Sequence, residues 1–327
     1  MRNRDKWRPF FKITINKNDQ TIIFPVIAAK TYGDATFTLG DSKTNRDLTV
    51  TYTAEDPSVV SITGNQATIL KVGSTKITAT QAGDELNFAA TPVERTLTVN
   101  KAELTVTADN QTKVYGSANP PLTFTYSGWV NGEELIDTPP TAGTTIGTTS
   151  VVDTYADAIT LTGGSDNNYT FRLVAGDFAV TKAELTVTAD NQTKVYGSAN
   201  PPLTYTYSGW VNGEELIDTP PTVSTTIDET SEVDTYGDAI TLTGGSDNNY
   251  TFRLVAGDFA VTKAELTVTA DNKTKVYGSA NPPLTFTYSG WVNDEETIDT
   301  PPTVSTTIDE TSAVDTYADA ITLTAVS

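Results

Sequence analysis

The sequence of 327 residues carries 41 acidic against 21 basic side chains, a formal charge of −20, and neither cysteine nor histidine. That composition excludes thiolate and imidazole chemistry, a disulfide framework, and the basic surface on which nucleic-acid binding depends. No window approaches the roughly 18 to 20 apolar residues of a helical membrane span, since the most apolar stretch, Ile22 to Ala29, is broken by Pro25.

In chain order, the basic opening MRNRDKWRPFF has no apolar segment and no small-residue cleavage site, so no secretion signal is visible. The string Ile13-Thr-Ile15-Asn-Lys17 has the form of Leu97-Thr-Val99-Asn-Lys101. It predicts that residues 1–16 are the terminal strand of an upstream module and that the chain is a window on a longer array. Residues 17–100 form the first complete module. There DLTVTYTAEDPSVV alternates like a strand and ends in a turn at Asp56-Pro57-Ser58, ITGNQATIL carries a hairpin signal at Gly64-Asn65, and Val72-Gly73 leads into a strand over Thr75 to Ala79.

From Lys101 onward the sequence repeats. KAELTVTADN begins at Lys101, Lys182 and Lys263, a period of 81 residues, which is long enough for each copy to be a small domain and too long for a solenoid turn. The boundaries are 101–181, 182–262 and 263–327, and the third copy stops at the equivalent of Leu161-Thr162, without the apolar runs that follow there. Within a copy the period is two: Leu104, Val106 and Ala108 alternate with threonines, as do Leu122, Phe124 and Tyr126, and Ile159 and Leu161. Turn residues fall at Asn119-Pro120-Pro121, Pro139-Pro140, Gly163-Gly164 and Gly176-Asp177. Asn131 with Glu134 three residues on reads as a capping box, predicting one short helical turn to Asp137. The fold class is therefore all-β, with tandem small β-sandwich modules in an extended array. With about six strands and one helical turn, each repeat also suits a β-grasp.

Two strings carry a family resemblance. Tyr52 to Val59, T-Y-x-x-x-D-P-S-V in shape, and Gly73 to Ala79 make residues 17–100 resemble the bacterial Ig-like domains. Lys113-Val-Tyr115-Gly116 and Asp166 to Thr170 make each repeat resemble the MBG domain of the YGX type. Both resemblances imply tandem modules of large secreted or surface-attached bacterial proteins, often adhesins, with no catalytic set to carry over. The expected function is a non-catalytic extracellular stalk that presents or spaces a binding domain, the alternatives being a carbohydrate-binding module array that uses the repeated tryptophan or an accessory region of a secreted enzyme. Its partners are neighbouring modules of the same chain, and also a surface glycan or protein. Strands of about eight to ten residues at ~3.3 Å per residue predict a length on the order of 100 to 150 Å.

Candidate sites recur with the repeat. Trp129, Trp210 and Trp291, each in Ser-Gly-Trp-Val-Asn, could stack on a sugar ring, or plug the core as a tryptophan before a turn more often does. Asp109, Asp153, Asp157, Asp166 and Asp177, with Asn110, Asn167 and Asn168, are oxygen donors near strand ends and the candidates for Ca2+, although no segment matches the spaced calcium loop. Lys113 with Asn167 or Asn168, and Glu133 or Glu134 as proton shuttle, is the conceivable intramolecular amide bond; a lysine there more often snorkels. No other cofactor is implied, and a catalytic role has the least support.

Overall fold

The computed structural model describes residues 11–324. Among them every regular element is a strand, as the period-two alternation and the threonine-rich composition dictate. The segment over Ile13 and Ile15, read as a terminal strand, has no regular structure, and both side chains are exposed; residues 1–10 lie outside the described residues.

Residues 17–100 build two sheets. The strands are β1 (Lys30–Thr31), β2 (Phe37–Thr38), β3 (Thr51–Ala54), β4 (Val60–Thr63), β5 (Gln66–Ile69), β6 (Gly73–Thr80) and β7 (Val93–Asn100). One sheet has the order β1-β7-β6-β3 and the other β2-β5-β4. The Gly64-Asn65 turn closes the β4–β5 hairpin, with Thr63 opposite Gln66. Alternate residues of β5, β6 and β7, among them Ala67, Ile77 and Leu97, are fully buried between the sheets.

The first repeat has seven strands: β8 (Ala102–Ala108), β9 (Gln111–Val114), β10 (Phe124–Ser127), β11 (Thr141–Thr144), β12 (Asp153–Thr162), β13 (Tyr169–Val174) and β14 (Gly176–Thr181). They form the sheets β10-β8-β13 and β11-β12-β14-β9. The second repeat copies them as β15 (Ala183–Ala189), β16 (Gln192–Val195), β17 (Tyr205–Ser208), β18 (Thr222–Thr225), β19 (Thr235–Thr243), β20 (Tyr250–Val255) and β21 (Gly257–Thr262). Its sheets are β17-β15-β20 and β16-β21-β19-β18, and Val187, Ile240 and Phe259 meet in the core between them. The third repeat forms β22 (Thr267–Ala270) with β23 (Phe286–Ser289), and β24 (Thr303–Thr306) with β25 (Ile321–Thr324).

The helical turn expected over Asn131 to Asp137 is absent. Glu133 N–H donates to the Val130 carbonyl at 3.1 Å across a tight turn, with Asn131 at φ 57° and Gly132 at φ 73°. Two successive left-handed residues are the Asn-Gly hairpin geometry, and they prevent Asn131 from serving as a helix cap. Without a helix the β-grasp alternative falls, and each of the first two repeats is a seven-stranded, two-sheet module.

The chain divides into two units whose border does not follow the repeat. The first comprises 1–113, 118–147 and 153–180. The second comprises 114–117, 148–152 and 181–327, so two loop tips of the first repeat belong with it. Inside the first unit the core does not stop at Lys101. Leu97 and Val99 share one buried cluster with Ala102, Leu104 and Tyr169, and Trp129 and Val130 pack against it.

Candidate functional site at the Tyr-Gly turns

The first unit brings three polar groups together where residues 17–100 meet the first repeat. β1 runs parallel to β7, and Tyr32, which follows β1, is tied by its N–H to the Asn100 carbonyl at 2.9 Å. Its hydroxyl donates to Glu133 Oε1 at 2.6 Å, and the Tyr169 hydroxyl donates to Glu133 Oε2 at 2.7 Å. The two rings meet edge to face at 5.9 Å. Val130 N–H donates to the Tyr169 hydroxyl at 3.1 Å, and Val72 N–H donates to Asn168 Oδ1 at 3.2 Å. A half-buried carboxylate that accepts from both phenols is a satisfied network, and hydrogen bonds to a charged acceptor are the stronger kind.

The second unit repeats this arrangement. Tyr115 donates to Glu214 Oε1 at 2.5 Å, Tyr250 donates to Glu214 Oε2 at 2.7 Å, and the rings are again 5.9 Å apart, edge to face. Val152 N–H donates to Asn249 Oδ1 at 3.1 Å, and Asn212 Nδ2 donates to the Thr148 carbonyl at 3.2 Å. A third instance joins Tyr196 to Glu295 Oε1 at 2.6 Å, with Asn293 Nδ2 on the Glu229 carbonyl at 2.9 Å. Burial, then the Glu133 hydrogen bond, raises the Tyr32 phenol above its usual range. For Tyr115 the Glu214 hydrogen bond is the larger cause and burial the second. Burial, followed by the same carboxylates, pushes Tyr169 and Tyr250 up to about 12. These phenols stay protonated, and the arrangement holds elements in place.

Sequence reasoning missed this clamp, although Lys-x-Tyr-Gly is printed at 30–33 as well as at 113–116, 194–197 and 275–278. Trp129 and Trp210 pack against clamp tyrosines, and Trp291 packs against Tyr288. Trp129 lies 5.4 Å from Tyr126 and 5.5 Å from Tyr169, and Trp210 has the same distance to Tyr207 and 5.6 Å to Tyr250; Trp291 lies 5.3 Å from Tyr288. All three indoles are half-buried.

The five aspartates are not brought together. Asp166 Oδ1 accepts from the N–H groups of Asn168 and Tyr169, and its Oδ2 from that of Asp137. Asp157 sits at φ 54° in a bulge of β12 and donates its N–H to Asp177 Oδ1, whose own N–H goes to Asn110 Oδ1. Asp109 accepts from the Thr123 hydroxyl and Asp153 from Thr154 N–H. The described residues hold no group of three or more acidic side chains placed to share a cation. Lys113 is buried and donates to the Gly147 carbonyl, whereas Asn167 donates to Asp137 and Asn168 accepts from Val72, so the lysine does not face either proposed amide partner. Burial lowers the Lys113 pKa.

No curated protein matches the chain. Among solved structures it is similar to the SGBP-B protein of the Bacteroides ovatus mixed-linkage glucan utilization locus, solved with a mixed-linkage heptasaccharide. The two are 16% identical over 76% of this chain and 72% of that one, with a TM-score of 0.21. It is also similar to Drosophila N-cadherin EC1-4, at 10% identity over 92% of this chain and 90% of that one, with a TM-score of 0.20. The family model described as MBG domain (YGX type) matches residues 104–179, 185–260 and 266–327, which is more than half of the sequence. With three tandem copies of that domain, the chain belongs to the MBG domain (YGX type) family.

Proposed function

We propose that the chain is a non-catalytic spacer segment of a secreted or cell-surface bacterial protein of the adhesin kind, with residues 17–100 acting as a bacterial Ig-like module ahead of the MBG repeats. The observation that carries this reading is the recurrence of one tyrosine–glutamate hydrogen bond, Tyr32–Glu133, Tyr115–Glu214 and Tyr196–Glu295, where successive modules meet within a unit, joined by a second phenol at Glu133 and Glu214. A joint that is packed and hydrogen-bonded resists bending, whereas a polar linker would not. The family resemblance supports the extracellular setting. Packing of the three indoles against tyrosines supports a structural use of those side chains over stacking on a glycan.

Small-angle scattering of the purified chain tests the proposal. A spacer gives an elongated profile with a maximum dimension on the order of 100 to 150 Å; a compact, near-spherical profile rules the spacer out.

A further inference from the structure

Each clamp tyrosine is followed by a glycine, and the space beside that glycine is filled from the facing turn. A Cβ on Gly33 would fall 2.6 Å from Val130 Cβ, one on Gly116 2.5 Å from Val211 Cβ, and one on Gly197 2.5 Å from Val292 Cβ. Gly278 has the same backbone, φ +80° beside +81° at Gly116 and +77° at Gly197, yet nothing lies within 4 Å of its Cβ position. Lys-x-Tyr-Gly thus presents a phenol and a notch. Trp-Val-Asn-x-Glu presents a valine that fills the notch and a carboxylate that takes the phenol.

In the first instance the upstream element is not a repeat. Lys30-Thr31-Tyr32-Gly33 belongs to residues 17–100, whose strand order differs from that of the repeats. The two kinds of module share one local feature. The Tyr-Gly follows a short edge strand that runs parallel to the last strand, β1 on β7 and β16 on β21.

We propose that the Tyr-Gly strand end and the Trp-Val-Asn-x-Glu turn form a docking pair that is indifferent to the fold of the upstream module. The partner that an MBG repeat accepts on this face is then any β-module whose edge strand, parallel to its last strand, ends in Tyr-Gly. This deepens the spacer reading by naming what each joint recognises.

Four glycine-to-alanine variants of the full chain test it, read by local amide hydrogen exchange in the turns at 129–133, 210–214 and 291–295. All four glycines hold positive φ (+91° at Gly33), so alanine strains the backbone at each, but only at Gly33, Gly116 and Gly197 does it also meet a valine. Gly33→Ala, Gly116→Ala and Gly197→Ala are each expected to speed exchange in the facing turn by about tenfold, an effect the size of one lost hydrogen bond. Gly278→Ala is expected to leave all three turns unchanged. Tyr32→Phe and Val130→Ala, which keep the backbone of residues 17–100 unstrained, should loosen the 129–133 turn in the same direction. If Gly33→Ala, Tyr32→Phe and Val130→Ala leave that turn unaltered while Gly116→Ala loosens 210–214, docking is specific to repeats and the proposal fails. If no variant acts across its joint, no docking pair exists. A compact scattering profile would sink the spacer reading and leave these exchange results standing.

Discussion

Tyr115 and Glu214 are 99 residues apart in sequence and 2.5 Å apart in space, the phenol donating to one oxygen of a carboxylate whose other oxygen holds Tyr250. One glutamate therefore ties a strand end of the first repeat to the core of the second, inside a single unit.

Removing that acceptor leaves two phenols without their partner. Glu214→Ala should destabilise the second unit by about 2 kcal/mol, and Glu214→Gln, which retains one acceptor oxygen, by about half as much. Urea titration of the three proteins checks the order.

Alkali should open the joints. The folded Tyr169 and Tyr250 phenols stand at about 12 against 10.0 for an unperturbed tyrosine. A raised pKa means the folded state holds the proton more tightly, so the stabilisation is complete below pH 10. It drains away as the pH climbs from there through about 12. Circular dichroism and phenolate absorbance should change together in that window, and Tyr250→Phe should shallow the pH dependence.

Phe259 is fully buried opposite Tyr236. Phe259→Ala should cost about 3–5 kcal/mol through lost burial and the cavity left behind, seen as a lowered melting transition. Thr241→Ala on the exposed face of β19 should change stability by no more than about 0.5 kcal/mol.

Chelation should do nothing to the melt. The Asp166 oxygens are committed to three backbone N–H groups, and no three acidic side chains of the described residues converge on one cation position. Excess EDTA is expected to leave the melting temperature unchanged, while Asp166→Ala should lower stability by about 1–3 kcal/mol by orphaning those donors.

Intact mass should equal the sequence mass. Lys113 points at the Gly147 carbonyl, and its counterpart Lys194 points at the carbonyls of Asp228 and Ser198. A deficit of one ammonia per repeat would contradict this geometry.

The strands were legible because their signal is local. Leu104, Val106 and Ala108 alternate with polar residues, and all three are buried in β8. Asn131 was misread because two local codes compete at one site: a capping box needs Asn with Glu at the third position, a hairpin turn needs Asn followed by Gly, and the left-handed dihedrals decide for the turn. The adjacent Glu133 is drawn off by Tyr32 and Tyr169, partners 101 and 36 residues away, which no window reveals. The clamp was invisible for the same reason. Its tetrapeptide recurs in plain sight, but pairing it with a distant turn requires knowing that β1 and β16 run alongside the last strands of their modules.

Those parallel ladders have a mechanical consequence. In the second repeat β15 lies parallel to β20 over six paired residues and β16 parallel to β21 over four. A pull along the axis of either pair loads its evenly spaced bonds in shear, so that they must give way together. Resistance to pulling is then set by the unfolding barrier more than by equilibrium stability. Single-molecule stretching should record it as tall, evenly spaced rupture peaks, whereas a low plateau would mean the ladders peel.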